Sequence, residues 1–234
     1  MKMMPLLKGS YGFRPFPDSG QNNPLPAASA DNRHAFLLRG SRGTAFLRRE
    51  GSSAFLLCDS GHAFATTGDF QNDARNHCAA TTVLNLLLLS GAAESPQPGT
   101  AAARALFLRV HRYIGNGPVF RLAPKATRLF RAEQIPLTAE AVSPRQLRSS
   151  SGSAGIAAFI AGELRRGNYC AVMVEAAVFA WHWVLVTGYK AAENGGTVLL
   201  VEDNWHRRSM QEYVPDNGSI VRGICVFHPL TPEK

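Results

Sequence analysis

One cysteine of this chain falls in the first turn of a predicted buried helix. Residues 76–89 read Asn-His-Cys-Ala-Ala-Thr-Thr-Val-Leu-Asn-Leu-Leu-Leu-Leu, a stretch too long for a typical strand and apolar nearly all round, with Asn76 as the expected N-cap. The N–H groups and partial positive charge of a helix N-terminus favour a thiolate, and can lower a cysteine pKa well below about 8.5. They can also stabilise an oxyanion. Cys78 is therefore a candidate nucleophile, although most cysteines are structural.

A thiol nucleophile needs an imidazole partner, and among seven histidines His182 has the most suitable position. It begins an apolar stretch, residues 181–189, that is typical of a strand. Trp181 and Trp183 flank it, so its ring can be shielded from water while it faces a cleft. His77 adjoins Cys78, but neighbours on a helix point about 100° apart. The alternative for His182 is a structural histidine in the core or at an interface.

An acid or amide must orient the imidazole, and both types follow the next predicted strand. The connection at residues 191–197 is short enough for a hairpin, which places Asp203 on the strand beside His182. Asn204 is chemically suitable as well. The alternative is that both are ordinary turn residues.

A side-chain amide upstream of the nucleophile would complete an oxyanion hole. Gln71 and Asn72 lie in the loop before the predicted helix, and Asn76 is a third possibility. Each of these signals alone is weak. Their order along the chain, amide then Cys at a helix start then His at a strand start then Asp on the next strand, is much stronger.

Three segments together resemble the papain-like cysteine peptidase superfamily, and within it the bacterial C39-like group. Residues 71–87 resemble its nucleophile helix with the preceding amide loop. Residues 181–189 (Trp-His-Trp-Val-Leu-Val-Thr-Gly-Tyr) resemble its His-bearing strand, and residues 202–205 (Glu-Asp-Asn-Trp) resemble the segment with the third triad member. The resemblance extends from Gln71 to Trp205, with the fold expected to continue to Phe227, and does not cover residues 1–60.

By position, the resemblance implies that Cys78 is the nucleophile, His182 the base, Asp203 the orienting residue and Gln71 the oxyanion donor. Trp181, Trp183 and Trp205 are expected to line the substrate cleft. Ala79 replaces a glycine found in many members. Gln71 lies seven residues before Cys78 instead of six, whereas Asn72 has the usual spacing.

The implied activity is hydrolysis of peptide or amide bonds through a thioester acyl-enzyme. One branch of the family removes leader peptides and accompanies an export ATPase, but no P-loop motif occurs here, so that role is not carried over. Two alternatives remain open: acyl transfer to an amine on the same scaffold, and a non-catalytic binding module that keeps the fold.

The order of predicted elements, helices first and then an antiparallel sheet, indicates an α+β protein. The resemblance narrows this to a papain-like fold, in which a helical lobe with the buried nucleophile helix packs on the sheet. We expect an irregular N-terminal arm over residues 1–33 and one domain over 34–234, of which 34–60 form a β-rich extension. Three further helices are predicted at 101–114, 124–133 and 154–166, and the main strands at 54–57, 169–175, 183–190, 198–202 and 220–227.

Composition limits the remaining possibilities. The four cysteines are far apart, without CxxC or paired His spacing, so we expect no metal, no cofactor and no disulfide framework. The net charge of +8 comes from dispersed arginines, which disfavours specific nucleic-acid binding. It indicates either a solvated basic surface or attraction to an acidic peptide or acyl substrate. No stretch has the length of a membrane span or the features of a signal peptide, so we expect no membrane insertion and a cytoplasmic location. The oligomeric state is left open.

Overall fold

The computed structural model describes residues 13–15, 48–50, 54–58, 63–93, 99–176, 179–192, 195–206, 211–215 and 219–230. Within these ranges the chain forms four α-helices, nine strands and a 3₁₀ helix at Thr67–Phe70. The helices are α1 (Cys78–Leu89), α2 (Ala101–Ile114), α3 (Leu122–Ala132) and α4 (Pro144–Arg165). The strands are β1 (Phe13–Pro15), β2 (Arg48–Glu50), β3 (Ala54–Leu56), β4 (Leu137–Val142), β5 (Tyr169–Ala176), β6 (Phe179–Ala191), β7 (Thr197–Glu202), β8 (Gln211–Tyr213) and β9 (Ser219–Pro229).

The fold is α+β, with the N-terminal helices packed on a six-stranded antiparallel sheet. The six strands follow the order β8-β7-β6-β5-β9-β4. Strand β1 extends this sheet beside β8, and β3, itself paired with β2, joins the far end of β6. Helix α1 packs on β6, α3 packs on β4 and β9, and α4 covers parts of β5, β7 and β9. The expected α+β class is thereby confirmed.

Helix α1 is buried along its whole length, as its apolar sequence predicts. Its N-cap is His77 and not Asn76, because Asn76 has a left-handed backbone with φ of 51° and stands outside the helix. The helix ends before Gly91, which has φ of 67°, a value that glycine adopts without strain, directly after the C-cap Ser90.

The predicted bounds of the other helices agree with the structure to different degrees. The predicted bounds of α2 are confirmed, and Thr100 caps it: its hydroxyl accepts a hydrogen bond from the Ala103 N–H at 3.3 Å. Helix α4, however, begins at Pro144, so the predicted start at residue 154 is wrong. Gly152 has φ of 60° within this helix, so the Ser/Gly run produces a local irregularity instead of a helix start.

The strands of the C-terminal half are confirmed at 169–175, 183–190, 198–202 and 220–227, and so is the hairpin joining β6 to β7. Strands β4 and β8 are not apparent from the sequence because one has mixed exposure at a sheet edge and the other has three residues. Most of the predicted arm (1–33) and of the predicted extension (34–60) lies outside the described residues. Within the described residues, no helix is long and apolar enough to cross a bilayer.

Candidate active site

Cys78 is the first residue of α1, and its side chain is almost closed to solvent, with 5% exposed. The main-chain N–H groups of Trp183, Ala79 and Cys78 itself are directed at the thiol. These donors favour the thiolate, but burial outweighs them and raises the pKa of the Cys78 thiol above its ordinary value. The expectation of a lowered pKa at this helix start is therefore wrong, because burial has the larger effect.

The thiol lies beside the chain segment that carries His182, since the N–H directed at the sulfur belongs to the next residue, Trp183. The side chain of His182 is equally buried, with 5% exposed. Its Nε2 lies 2.7 Å from the main-chain oxygen of Asp203, and its ring stacks on the Trp205 indole with centroids 4.2 Å apart and planes at 14°. The imidazole is thus held both along its edge and on its face.

The contact with Asp203 decides which tautomer of His182 is present. A carbonyl oxygen only accepts, so Nε2 of His182 carries the hydrogen and Nδ1 of the neutral ring has the lone pair. Burial lowers the pKa of His182 below its ordinary value, despite the nearby Asp203. At neutral pH the Cys78 thiol and the His182 imidazole are consequently both uncharged.

The carboxylate of Asp203 is engaged elsewhere, which corrects the expected side-chain orientation of the imidazole. Its Oδ1 accepts hydrogen bonds from the N–H groups of Trp205 (2.9 Å) and His206 (3.0 Å), and its Oδ2 lies 2.8 Å from Nδ1 of His206. These contacts close a tight turn after β7. Asp203 therefore contacts His182 through its backbone, while its side chain holds the turn that presents the backbone oxygen.

His206 is a site residue that the sequence analysis did not single out. The hydrogen bond to Asp203 raises the pKa of His206 above its ordinary value, and the ring is partly exposed. Its position three residues after Asp203, in the same turn, is the pattern that could have revealed it.

Asn204 joins α1 to the beginning of β6. Its Nδ2 donates to the main-chain oxygen of Trp183 (2.7 Å) and to Oγ1 of Thr82 (2.8 Å), and its Oδ1 accepts from Nδ2 of Asn85 at 3.1 Å. Asn85 is in turn bonded to both main-chain groups of Ala65, each at 2.9 Å. Asn204 has φ of 63°, which asparagine tolerates better than most residues. All three polar side chains are fully buried and mutually satisfied.

The need for this network follows from the sheet. Pairing between β6 and β7 ends at Leu185 and Glu202, so among the described strands none lies beside β6 at Trp183 on that side. Thr82, Asn204 and the Cys78 thiol occupy the place of that strand and satisfy the Trp183 peptide groups.

Sequence reasoning also overlooked Thr82 and Asn85, although a signal was present. With Cys78 they stand at spacings of four and seven residues, which puts three polar residues on one face of an otherwise apolar helix. The polar face of α1 is thus the face that meets the ends of β6 and β7.

The three predicted amide donors are exposed, whereas the thiol is buried. Gln71 and Asn72 lie in the turn after the 3₁₀ helix, and Asn76 lies just before the helix α1. Within the described ranges no hydrogen bond joins any of these three side chains to Cys78. The main-chain N–H groups around the sulfur are therefore further candidates for stabilising an oxyanion.

The three tryptophans have different environments. Trp205 is 40% exposed and covers His182, and Trp181 is partly buried. Trp183 is only 2% exposed, and its Nε1 donates to the main-chain oxygen of Val119 at 3.0 Å. Trp183 is therefore a residue of the core, whereas the exposed part of Trp205 is open to solvent.

Glu202, the residue before Asp203, is a buried carboxyl group that sequence reasoning left without a role. Its Oε1 accepts the Asn204 N–H at 3.1 Å. Burial, with a smaller effect of Asp203, raises the pKa of Glu202 to about 10, so it is a neutral acid at physiological pH.

The other three cysteines, Cys58, Cys170 and Cys225, are buried and form no disulfide bond. Burial raises the pKa of both Cys170 and Cys225. Across the described part of the chain, no group of three His, Cys, Asp or Glu residues is placed to hold a metal ion.

No protein-family model matches the chain, and no curated protein matches it at a significant level.

Proposed function

We propose that the protein is a cysteine hydrolase of papain-like architecture that cleaves peptide or amide bonds, with Cys78 as nucleophile and His182 as base. The observation that carries the proposal is the junction of α1 with β6. There the Cys78 thiol, at the start of α1, lies beside the N–H of Trp183, the residue after His182. The Asp203 carbonyl oxygen sets the tautomer of His182 and leaves its Nδ1 able to accept a proton.

The pKa directions favour proton transfer during attack over a preformed ion pair. Nδ1 of His182 takes the thiol proton as the sulfur bonds to the acyl carbon, and the N–H groups around the sulfur stabilise the resulting oxyanion. The imidazolium then protonates the departing amine, which leaves a thioester. Water attacks the thioester, giving its proton to His182, and the carboxylic acid and the Cys78 thiol are released.

The test is turnover of a library of quenched fluorescent peptides by the wild type, C78A, H182Q and a matched control, C58A. We expect C78A to abolish cleavage and H182Q to lower kcat/KM by about 10²–10⁴-fold, because a positioned base contributes that much. C58A removes a buried thiol to which the proposal gives no role, and it should keep the wild-type rate. Full activity of C78A with native circular dichroism would refute the proposal.

Low exposure of the thiol favours acyl transfer as a second candidate, because an enclosed thioester is shielded from water. Intact-mass analysis with acyl donors, with and without added amines, separates the two. A new amide in the presence of amine indicates transfer, and free acid alone indicates hydrolysis.

A further inference from the structure

A positively charged surface lies on the helical hairpin formed by α2 and α3. Residues 99–134 contain seven Arg and Lys residues but a single acidic residue, Glu133. On α3 the basic residues recur at spacings of three and four, on the face opposite the buried residues of that helix. We call this face the basic ridge: Arg121, Lys125, Arg128 and Arg131.

Within the described part of the chain, no acidic side chain neutralises the arginines of the ridge. The acidic partners near the hairpin are used by α2, where Arg104 bonds to Asp73 and Arg109 lies 3.8 Å from Glu133. Among the described residues, no carboxylate is within ion-pair distance of Arg121, Arg128 or Arg131, and all three are exposed. An unpaired row of guanidinium groups attracts an anionic partner.

The ridge begins beside the proposed active site. The connection between α2 and α3 contacts the start of α1, where the Gly117 N–H donates to the main-chain oxygen of Asn76 at 2.9 Å. The same connection receives the Trp183 indole N–H at Val119. Between Val119 and the first ridge residue stands Phe120, a ring that is 69% exposed. An exposed apolar side chain and a row of cations therefore lie next to each other near Cys78.

We propose that the basic ridge and Phe120 form the docking surface for an acidic polypeptide substrate of the Cys78 site. The ridge binds a run of carboxylates, and Phe120 contacts an apolar residue between that run and the scissile bond. This inference rests on the proposed function. A polypeptide is favoured over a nucleic acid because only the polypeptide carries an acyl carbon for the thiol to attack.

The length of the ridge sets the length of the acidic segment. From Arg121 to Arg131 a helix rises about 15 Å, and an extended chain covers about 3.3 Å per residue. The ridge therefore accommodates an acidic run of about five residues.

The test measures binding separately from catalysis. Fluorescence anisotropy of the full chain carrying C78A is recorded with a labelled peptide that has a glutamate run followed by Phe. The comparison probes are the same peptide with Lys for Glu and an oligothymidylate of similar charge. We expect the glutamate peptide to bind most tightly, and its binding to weaken with added salt as exposed charges are screened.

Two double variants with the same change in net charge locate the surface. R128Q/R131Q should raise the Kd of the glutamate peptide about three- to tenfold, whereas R145Q/R165Q, on α4, should change it less than about twofold. In the same C78A background, F120A should also raise the Kd of the glutamate peptide, because it removes the proposed apolar contact. Equal effects of the two double variants, or tighter binding of the oligothymidylate, would overturn the docking proposal.

Cleavage by the wild type then distinguishes failure of the docking surface from failure of the chemistry. If the peptide binds the ridge but is never cleaved, docking stands and the hydrolase proposal falls. If neutral and acidic peptides are cleaved equally, and R128Q/R131Q leaves both rates unchanged, the chemistry stands and the docking proposal is refuted.

Discussion

Replacing Asn204 by glycine is expected to lower the free energy of unfolding by about 3 kcal/mol, at about 1 kcal/mol per lost hydrogen bond. The side chain makes three well-formed bonds, at 2.7, 2.8 and 3.1 Å. Its partners retain other bonds: the Trp183 oxygen still accepts from Thr82, and Asn85 still donates to Ala65. The loss should therefore equal the net value of the bonds, without the larger penalty of stranded polar groups. Glycine takes φ of 63° freely, so the backbone adds little cost of its own.

Two companion variants separate the contributions. N204A removes the same hydrogen bonds but places a Cβ at a left-handed position, so it should cost about 1–2 kcal/mol more than N204G. T82V removes two hydrogen bonds of the network, one donated to the Trp183 oxygen and one accepted from Asn204, and should cost about 2 kcal/mol.

The assay is urea unfolding of the full chain, followed by circular dichroism and by intrinsic tryptophan fluorescence. For a chain of 234 residues, a loss of about 3 kcal/mol corresponds to a Tm lower by about 6–12 °C. Two results would contradict this account of the contact between α1 and β6. One is a free energy of unfolding for N204G within about 0.5 kcal/mol of the wild-type value, and the other is equal free energies of unfolding for N204A and N204G.

Three further predictions concern titratable groups at the site. The pKa of the Glu202 carboxyl group is raised to about 10 in the folded chain. Above about pH 4.5 this carboxyl group therefore ionises in the unfolded chain but stays protonated in the folded chain. Stability should therefore fall by about 1.4 kcal/mol per pH unit between those values. E202Q should remove this slope in urea unfolding from pH 5 to 8, and equal slopes for both proteins would contradict a neutral Glu202. The raised pKa of Cys78 and lowered pKa of His182 predict that alkylation of native protein by iodoacetamide still accelerates beyond about pH 8.5. A plateau reached near neutral pH, lost in H182Q, would instead indicate a preformed ion pair. The raised pKa of His206 means that its protonated form stabilises the turn below pH 6.5, and that this contribution is lost as pH rises through its folded pKa. H206Q should thus cost under about 1 kcal/mol at pH 6 and less at pH 8, and the reverse order would show that Asp203 does not hold a charged His206.

Local patterns predicted much of the framework. The length and uniform apolarity of α1 identify a buried helix, and the threonine and glycine that bound α2 set its ends. Runs of β-branched residues mark β5, β6, β7 and β9. Failures arose where long-range contacts outweigh local preference, as in the Ser/Gly part of α4 and the edge strand β4.

For the candidate site, residue types and their order along the chain sufficed to nominate Cys78, His182 and Asp203. The atoms that meet were set by how α1 packs against the end of β6. Because β7 stops short, Asn204 and Thr82 complete the edge of β6, and Asp203 turns its carbonyl to His182 while its carboxylate holds His206. Burial likewise sets the protonation states, since a pKa depends on the solvent that packing removes and not on the identity of the residue alone. A linear pattern specifies which groups are present, but their orientation and ionisation depend on neighbours up to 137 positions away, as for Thr67 and Asn204.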